Sequence, residues 1–146
     1  MTVVLDYEAV ARRLSEEFPG SVMESGKSGI VVKSERLREL AGFLRDSSEF
    51  EFDYLANLTA VDYLDYFEVV YHLVSLTNNH SLALKVRCTD RDKPVVPSVV
   101  DVWRAADFQE REVYDLMGIV FEGHPNLKRL FLWEGFIGHP LRKDYL

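Results

Sequence analysis

The sequence predicts an α+β fold, with N-terminal helices and a hairpin, an antiparallel or mixed sheet, and then a C-terminal helix and an extended irregular tail. Two observations lead to this order. Apolar residues recur at helical spacing in two N-terminal segments and again near residue 110, whereas between residues 52 and 87 they alternate with polar ones. The C-terminal residues are rich in apolar side chains that follow no period.

The first helix is expected to begin after Asp6, whose carboxylate can cap it, and to end at Pro19-Gly20. Strands at 22–24 and 30–33 should then form a hairpin around the glycine-containing turn 26–29. The apolar face of the first helix consists of Val10, Leu14 and Phe18.

A second helix should follow Ser34, which is expected to cap it. Three strands are then predicted at 52–62, 66–75 and 82–87, with a reversal at 77–80, so that they form an antiparallel meander. The apolar stripe of the second helix consists of Leu37, Leu40, Ala41 and Leu44. The inward residues of the last two strands are Phe67, Val69, Tyr71 and Leu73, then Leu82, Leu84 and Val86.

Residues 90–97 are expected to be a polar connection interrupted by prolines. Helical pattern resumes at 98–103 and continues over 107–117, where Gly118 provides a C-terminal stop. We therefore predict a compact α+β domain over residues 1–125 and an extended docking tail over 126–146.

The charge of the chain constrains its partners. The 146 residues carry a net charge of −7, which argues against general nucleic-acid binding. Four cationic and two anionic side chains nevertheless give residues 126–146 a charge of +2, so the rest of the chain carries −9. A basic, aromatic-rich tail on an acidic body is typical of a docking segment for another macromolecule.

The chain has one cysteine, Cys88, so it can form neither an internal disulfide nor an iron–sulfur cluster of its own. We interpret Cys88 as a small buried residue near a strand end. No secretory signal precedes Asp6, and the apolar runs are far shorter than the roughly 20 residues that span a bilayer. The sequence predicts a soluble protein that reaches a membrane only through other chains.

The first candidate site is Glu110-Arg111-Glu112. On a helix the two glutamates diverge by about 200°, so they are not a close acid–base pair. Arg111 is expected instead to bridge acidic groups such as Asp115 at i+4, Asp101 or Asp107, or neighbouring carbonyls.

The second candidate is a pair of Gly-His-Pro tripeptides centred on His124 and His139. Each histidine is expected to fix a turn by bonding a backbone carbonyl through one ring nitrogen. The alternative, from another functional class, is a stand-alone metal enzyme in which both histidines and a carboxylate of Glu110 or Glu112 are ligands.

The C-terminal third of the chain resembles the C-type, 30 kDa peripheral-arm subunit family of NADH:quinone oxidoreductase, respiratory complex I. The resemblance is carried by the segment 96–103, by Glu-Arg-Glu followed by Tyr114-Asp115, and by both Gly-His-Pro turns. The resemblance implies an α+β subunit of the hydrophilic arm, in which no residue is catalytic and which holds no cofactor. Flavin, iron–sulfur clusters and quinone would lie in partner subunits. Related subunits also serve membrane-bound hydrogenases and dehydrogenases with other electron donors.

By this resemblance the chain would pack on the D-type large subunit that forms the quinone site, and it would lie near the cluster-bearing B-type and I-type subunits. It would be peripheral, on the cytoplasmic side of the cell membrane, and held there by the complex. The residues expected to bind partners are Glu110, Arg111, Glu112, Tyr114, Asp115, His124, Arg129, Phe131, Trp133, His139, Arg142, Lys143 and Tyr145.

Overall fold

A computed structural model describes residues 2–129 and 138–143 of the chain. Within them, eight strands and three helices form the predicted α+β fold. In chain order the elements are β1 (Val3–Val4), α1 (Tyr7–Glu17), β2 (Val22–Gly26), β3 (Gly29–Val32), α2 (Leu37–Asp46), β4 (Tyr54–Asp62), β5 (Phe67–Ser75), β6 (His80–Cys88), β7 (Val95–Pro97), α3 (Ala106–Met117) and β8 (Val120–Glu122).

The main sheet has the strand order β2-β3-β6-β5-β4, with the short β1 pairing in parallel with β6. The predicted meander is confirmed, because β4, β5 and β6 are antiparallel neighbours. The N-terminal hairpin joins this sheet through a parallel pairing of β3 with β6, which makes the sheet mixed.

The helices bury the faces that their sequence pattern predicts. Asp6 caps α1 by accepting a hydrogen bond from the backbone N–H of Glu8, as expected. Every residue of the α2 stripe is fully buried, and so are the inward residues of β5. One continuous core joins these helix faces to one face of the sheet, and Ala106, Val113 and Met117 of α3 belong to the same core.

Three local predictions are wrong. Ser34 begins a short 3-10 turn over Ser34–Arg36 and makes no capping bond to α2, which starts at Leu37. Residues 98–103 form turns instead of a helix. The connection 90–97 ends in β7, which pairs in parallel with β8. A three-residue strand that depends on a partner 25 residues further along leaves too short a local pattern to recognise.

Candidate functional site

Glu110 lies at the centre of the region that the sequence singles out. The residue is fully buried on the inner side of α3. One carboxylate oxygen accepts a hydrogen bond from Ser98 Oγ at 2.6 Å, and the other accepts from the backbone N–H of Val99 at 2.8 Å. Burial raises the pKa of the Glu110 carboxyl, against the effect of these two bonds. Glu110 therefore attaches the turn at 98–99 to α3 through two buried hydrogen bonds.

His124 fixes the N-terminal part of α3. Its Nε2 lies 3.2 Å from the Asp107 carbonyl oxygen and 2.9 Å from the Asp107 carboxylate. Its Nδ1 accepts a hydrogen bond from the backbone N–H of Asn126 at 2.9 Å. These bonds assign the proton to Nε2, because Nδ1 is the acceptor. The predicted role of His124 in fixing its turn is confirmed.

The C-terminal segment covers the other end of the same helix. Three consecutive carbonyl oxygens at the end of α3 accept hydrogen bonds from it: Asp115 from His139 Nδ1 at 3.1 Å, Leu116 from the backbone N–H of Leu141 at 3.0 Å, and Met117 from Arg142 Nε at 2.7 Å. The last carbonyls of a helix have no partner within it, and they favour cations. Residues 139–142 satisfy both requirements.

Arg129 joins this segment to the helix. Its Nε donates to the buried Asp115 carboxylate at 2.5 Å, while Nη2 donates to the Asp115 carbonyl at 2.7 Å. The same Nη2 also donates to the carbonyl of Gly138 at 2.9 Å. A single guanidinium thus holds the two described ends of the tail, at 129 and 138, to each other and to α3.

Gly118 makes this close approach possible. It ends α3 with a φ of 79°, in the left-handed region that favours glycine. A Cβ at this position would lie 2.7 Å from Cδ2 of His139 and 2.8 Å from an Nη of Arg142. The predicted helix stop is confirmed. Because Gly118 has no side chain, His139 and Arg142 of the tail can pack against this end of α3.

A second attachment point lies at the end of β4. The buried Asp62 carboxylate accepts from both terminal nitrogens of Arg91, at 2.6 and 3.0 Å, and from the backbone N–H of Lys143 at 2.8 Å. Arg91 holds the pKa of Asp62 well below its usual range. Asp62 and Arg91 are 29 residues apart in the chain, so no local pattern in the sequence indicates that they pair.

Arg111 does not bridge Asp115, contrary to the prediction, because Arg129 occupies that carboxylate. Its Nε is buried without a hydrogen-bond partner, and no ion pair of Arg111 is found in the described part of the chain. Glu112 and Tyr114 are half-buried. Tyr114 lines a cleft of about 410 Å³ together with Leu127, Lys128, Arg129 and His139.

Three residues predicted to bind partners, Phe131, Trp133 and Tyr145, lie outside the described residues. The described parts of 126–146 lie against α3 and Asp62 through Arg129, His139, Arg142 and Lys143. The division into a domain over 1–125 and a docking tail over 126–146 stays a prediction.

The two Gly-His-Pro histidines do not converge on one site. His124 binds the carbonyl of Asp107 and His139 that of Asp115. Eight residues of helix separate these carbonyls by about 12 Å, too far for both rings to ligate one ion. Within residues 2–129 and 138–143, no group of three or more histidine, cysteine or carboxylate side chains is arranged to hold a metal.

Cys88 is buried at the end of β6, as predicted, and burial raises the pKa of its thiol to about 11. Such a thiol stays protonated near neutral pH and is a poor nucleophile. In the described ranges, no helix is long and apolar enough to cross a lipid bilayer.

Comparison with known proteins gives relatives over most of the chain. The C-type subunit of the NADH-quinone oxidoreductase from Roseiflexus sp. (strain RS-1) is 44% identical over 149 residues, covering 97% of this chain and 85% of that protein. The corresponding protein of Burkholderia multivorans (strain ATCC 17616 / 249) is 46% identical over 129 residues. That match covers 82% of this chain but 64% of the Burkholderia protein.

A solved structure shares the fold. A chain of the membrane-bound sulfane sulfur reductase, an archaeal respiratory membrane complex, aligns with a TM-score of 0.76 and 26% identity, over 94% of this chain and 84% of that one. The sequence profile of the family described as "Respiratory-chain NADH dehydrogenase, 30 Kd subunit" matches residues 30–146. This chain therefore belongs to the 30 Kd subunit family of the respiratory-chain NADH dehydrogenase, as its C-terminal motifs predict.

Proposed function

We propose that the chain is a non-catalytic structural and assembly subunit in the hydrophilic arm of a proton-translocating NADH:quinone oxidoreductase, where it packs on the D-type large subunit that forms the quinone site. One observation carries this proposal: three side chains around α3 that are capable of acid–base chemistry, Glu110, His124 and His139, are bonded to the chain's own backbone. Glu110 accepts from Val99, His124 donates to Asp107, and His139 binds the carbonyl of Asp115. Because their polar atoms are already bonded within the chain, these groups stabilise the shape of the surface and are not positioned to contact a substrate.

Exposed apolar side chains support the proposed packing on a partner. Tyr63 and Leu64, directly after Asp62, are 45% and 57% exposed, and Phe108 on α3 is 53% exposed. Asp62 binds the backbone of Lys143, so Tyr63 and Leu64 border the attached tail. Large apolar groups that stay exposed beside cationic ones are typical of a protein interface.

The remaining parts of the proposal concern the assembly. Flavin, iron–sulfur clusters and quinone would be held by other subunits, among them the cluster-bearing B-type and I-type subunits, which would be neighbours of this chain. The complex would hold it on the cytoplasmic side of the cell membrane. The similar proteins from Roseiflexus and Burkholderia are named as subunits of NADH-quinone oxidoreductases, which supports this assignment.

A second candidate is an equivalent scaffold subunit in a complex with another electron donor or acceptor, such as a membrane-bound hydrogenase. The similarity of its fold to a chain from the archaeal sulfane sulfur reductase supports this candidate. The metal content of the partner distinguishes the two, because nickel in the large subunit would indicate a hydrogenase.

Affinity purification of the tagged full chain from mildly solubilised native membranes tests the proposal. We expect the D-type quinone-site subunit in stoichiometric amount, together with iron–sulfur subunits and NADH dehydrogenase activity. A chain that elutes alone and carries its own metal or flavin would refute it. A parallel purification with a tag on an unrelated membrane complex controls for nonspecific capture.

A further inference from the structure

The tip of the hairpin between β4 and β5, residues 63–66, holds a large apolar residue in a strained backbone conformation. Leu64 has a φ of 71°, in the left-handed region that favours glycine. In the described ranges, the residues other than glycine with a positive φ are Glu51, Leu64 and Asn79. Leu64 is the apolar member of this set, and a bulky side chain makes the conformation costly. The turn would therefore be more stable with asparagine or glycine at position 64.

This chain does not offset the strain by burying the side chain. Leu64 is 57% exposed, and its neighbour Tyr63 is 45% exposed. Two adjacent large apolar residues are unusual in a turn, where Gly, Asn, Asp and Ser are the common residues. Apolar side chains that are both exposed and held in a strained turn are typical of a surface that another molecule covers.

Internal hydrogen bonds hold the tip in one shape. The Asp62 carboxylate accepts a hydrogen bond from the backbone N–H of Leu64 at 2.8 Å, and Arg91 in turn binds Asp62. The backbone N–H of Tyr63 donates to the carbonyl of Tyr66 at 3.0 Å, and the centres of their rings are 5.3 Å apart. The tip is thus preorganised, which reduces the entropy that is lost when a partner binds it.

Charge at the tip indicates what kind of surface covers it. Asp65 follows Leu64 and is exposed, and no ion pair of Asp65 is found in the described part of the chain. Residues 1–125 carry a net charge of −9, which disfavours the body of a second copy of this chain and favours a cationic surface. A stable interface buries roughly 800 Å² on each partner, more than a four-residue tip supplies, so the tip would be one part of a larger contact.

We propose that this hairpin tip is an anchor that inserts Leu64 and Tyr63 into an apolar pocket of the D-type subunit, where a lysine or arginine at the rim of the pocket pairs with Asp65. This rests on the proposed function, because it requires that subunit to pack against this end of the sheet. A few side chains that fill pockets carry most of the binding energy of an interface. Charge pairs around them fix the orientation of the partners.

The first test relieves the strain and removes the anchor in one substitution, L64N, because asparagine tolerates the left-handed conformation. The melting temperature of the isolated chain should stay equal or rise, by up to about 4 °C. For assembly, differently tagged copies of L64N and of the unchanged chain are expressed together, and their ratio in the purified complex measures their relative affinity. L64N should be incorporated at least about tenfold less than the unchanged chain.

The matched control is E51N, which relieves strain of the same kind at the other end of β4, where Glu51 has a φ of 49°. Its melting temperature should respond as that of L64N does, but its incorporation should stay within about twofold of the unchanged chain. Equal incorporation of L64N, or a lower melting temperature, would overturn the inference, since Leu64 would then serve the fold of this chain. The proposed function is judged separately, by whether the unchanged chain enters the complex at all.

The second test identifies the occupant of this surface. Tyr63→benzoylphenylalanine keeps an aromatic ring at the tip and makes it photoreactive. After irradiation of the purified complex, mass spectrometry should find residue 63 linked to the D-type subunit, at apolar residues that have a lysine or arginine beside them. A link to any other chain, including a second copy of this one, a link to lipid alone, or no link in a complex that assembles normally, would contradict the proposal.

Discussion

Arg129 binds Asp115 twice, through the carboxylate and through the main-chain carbonyl of the same residue. Asp115 is fully buried, and Arg129 keeps 11% of its side-chain surface exposed. Since Arg129 also donates to Gly138, this pair sets the position of the tail relative to α3. The region that the sequence marks for partner binding is thus built on an internal ion pair.

Replacement of Arg129 should therefore destabilise the chain. R129M leaves a buried carboxylate without its cation, which costs about 3–5 kcal/mol in comparable pairs. Urea unfolding followed by circular dichroism measures the loss. R12M, at an exposed position of α1, serves as the control and should change the unfolding free energy by less than about 0.5 kcal/mol. A similarly small change for R129M would contradict the assigned role.

Glu110 should tolerate an amide but not truncation. E110A leaves the Ser98 hydroxyl and the Val99 N–H without their acceptor, at a cost of about 1–3 kcal/mol for each buried group. In E110Q the amide oxygen can still accept from Val99, while its nitrogen donates to Ser98. The unfolding free energy should therefore fall much less in E110Q than in E110A. Equal losses would show that the hydrogen bonds to Ser98 and Val99 do not determine the contribution of Glu110 to stability.

The pH dependence of the Glu110 contribution follows from its raised pKa. A carboxyl whose pKa is higher in the folded state contributes stability at low pH and loses it as the pH rises through that value. Relative to E110Q, the unchanged chain should therefore become less stable as the pH rises from about 4 towards neutrality. A difference between the two proteins that does not vary with pH would contradict the burial argument.

Asp62 should show the opposite dependence, because Arg91 lowers its pKa. A lowered folded-state pKa gives stability above the unfolded value near 4, and this stability is lost on acidification. At pH 7, D62N should reduce the unfolding free energy by about 2–3 kcal/mol, since Arg91 is partly exposed and water screens part of the interaction. The difference from the unchanged chain should shrink between about pH 5 and pH 3. A constant difference across this range would contradict the assignment.

Gly118 and Gly42 form a matched pair of glycine sites. G118A forces a left-handed φ on alanine and places Cβ against His139 and Arg142, so we expect a loss of about 1–3 kcal/mol. Gly42 lies in α2 with open space where a Cβ would be added, and G42A should gain about 0.5–1 kcal/mol from helix propensity. Thermal unfolding measures both, and a gain for G118A would show that the tail does not approach the helix end closely.

Periodic segments of the sequence predict the fold class and the antiparallel meander of β4, β5 and β6, whereas the parallel pairings of β1, β3 and β7 leave no such pattern. The stripe Leu37, Leu40, Ala41 and Leu44 predicts α2 because each residue of the stripe has to be buried. The segment 98–103 has a comparable helical pattern, yet it forms turns. There the Glu110 carboxylate accepts hydrogen bonds from the Val99 N–H and the Ser98 hydroxyl. Because this carboxylate belongs to another element, α3, the sequence of 98–103 contains no pattern that indicates the turn.

For the site, the sequence gives the residue types but not their pairing. The two histidines bond helix carbonyls, as the Gly-His-Pro turns predict. Helical spacing favours a pair between Arg111 and Asp115, but this preference is weak, worth a few tenths of a kcal/mol. Arg129 overrides this preference, because its guanidinium contacts both the carboxylate and the carbonyl of Asp115 and thereby also satisfies a helix end.

We propose that this chain supports the complex without taking part in its chemistry. The most direct test measures NADH:quinone reductase turnover per assembled complex in membranes that carry R129M. We predict a lower amount of complex on native gels but an unchanged turnover for each complex that forms. Normal amounts of a complex with strongly reduced turnover would contradict the claim and give this region a part in the reaction.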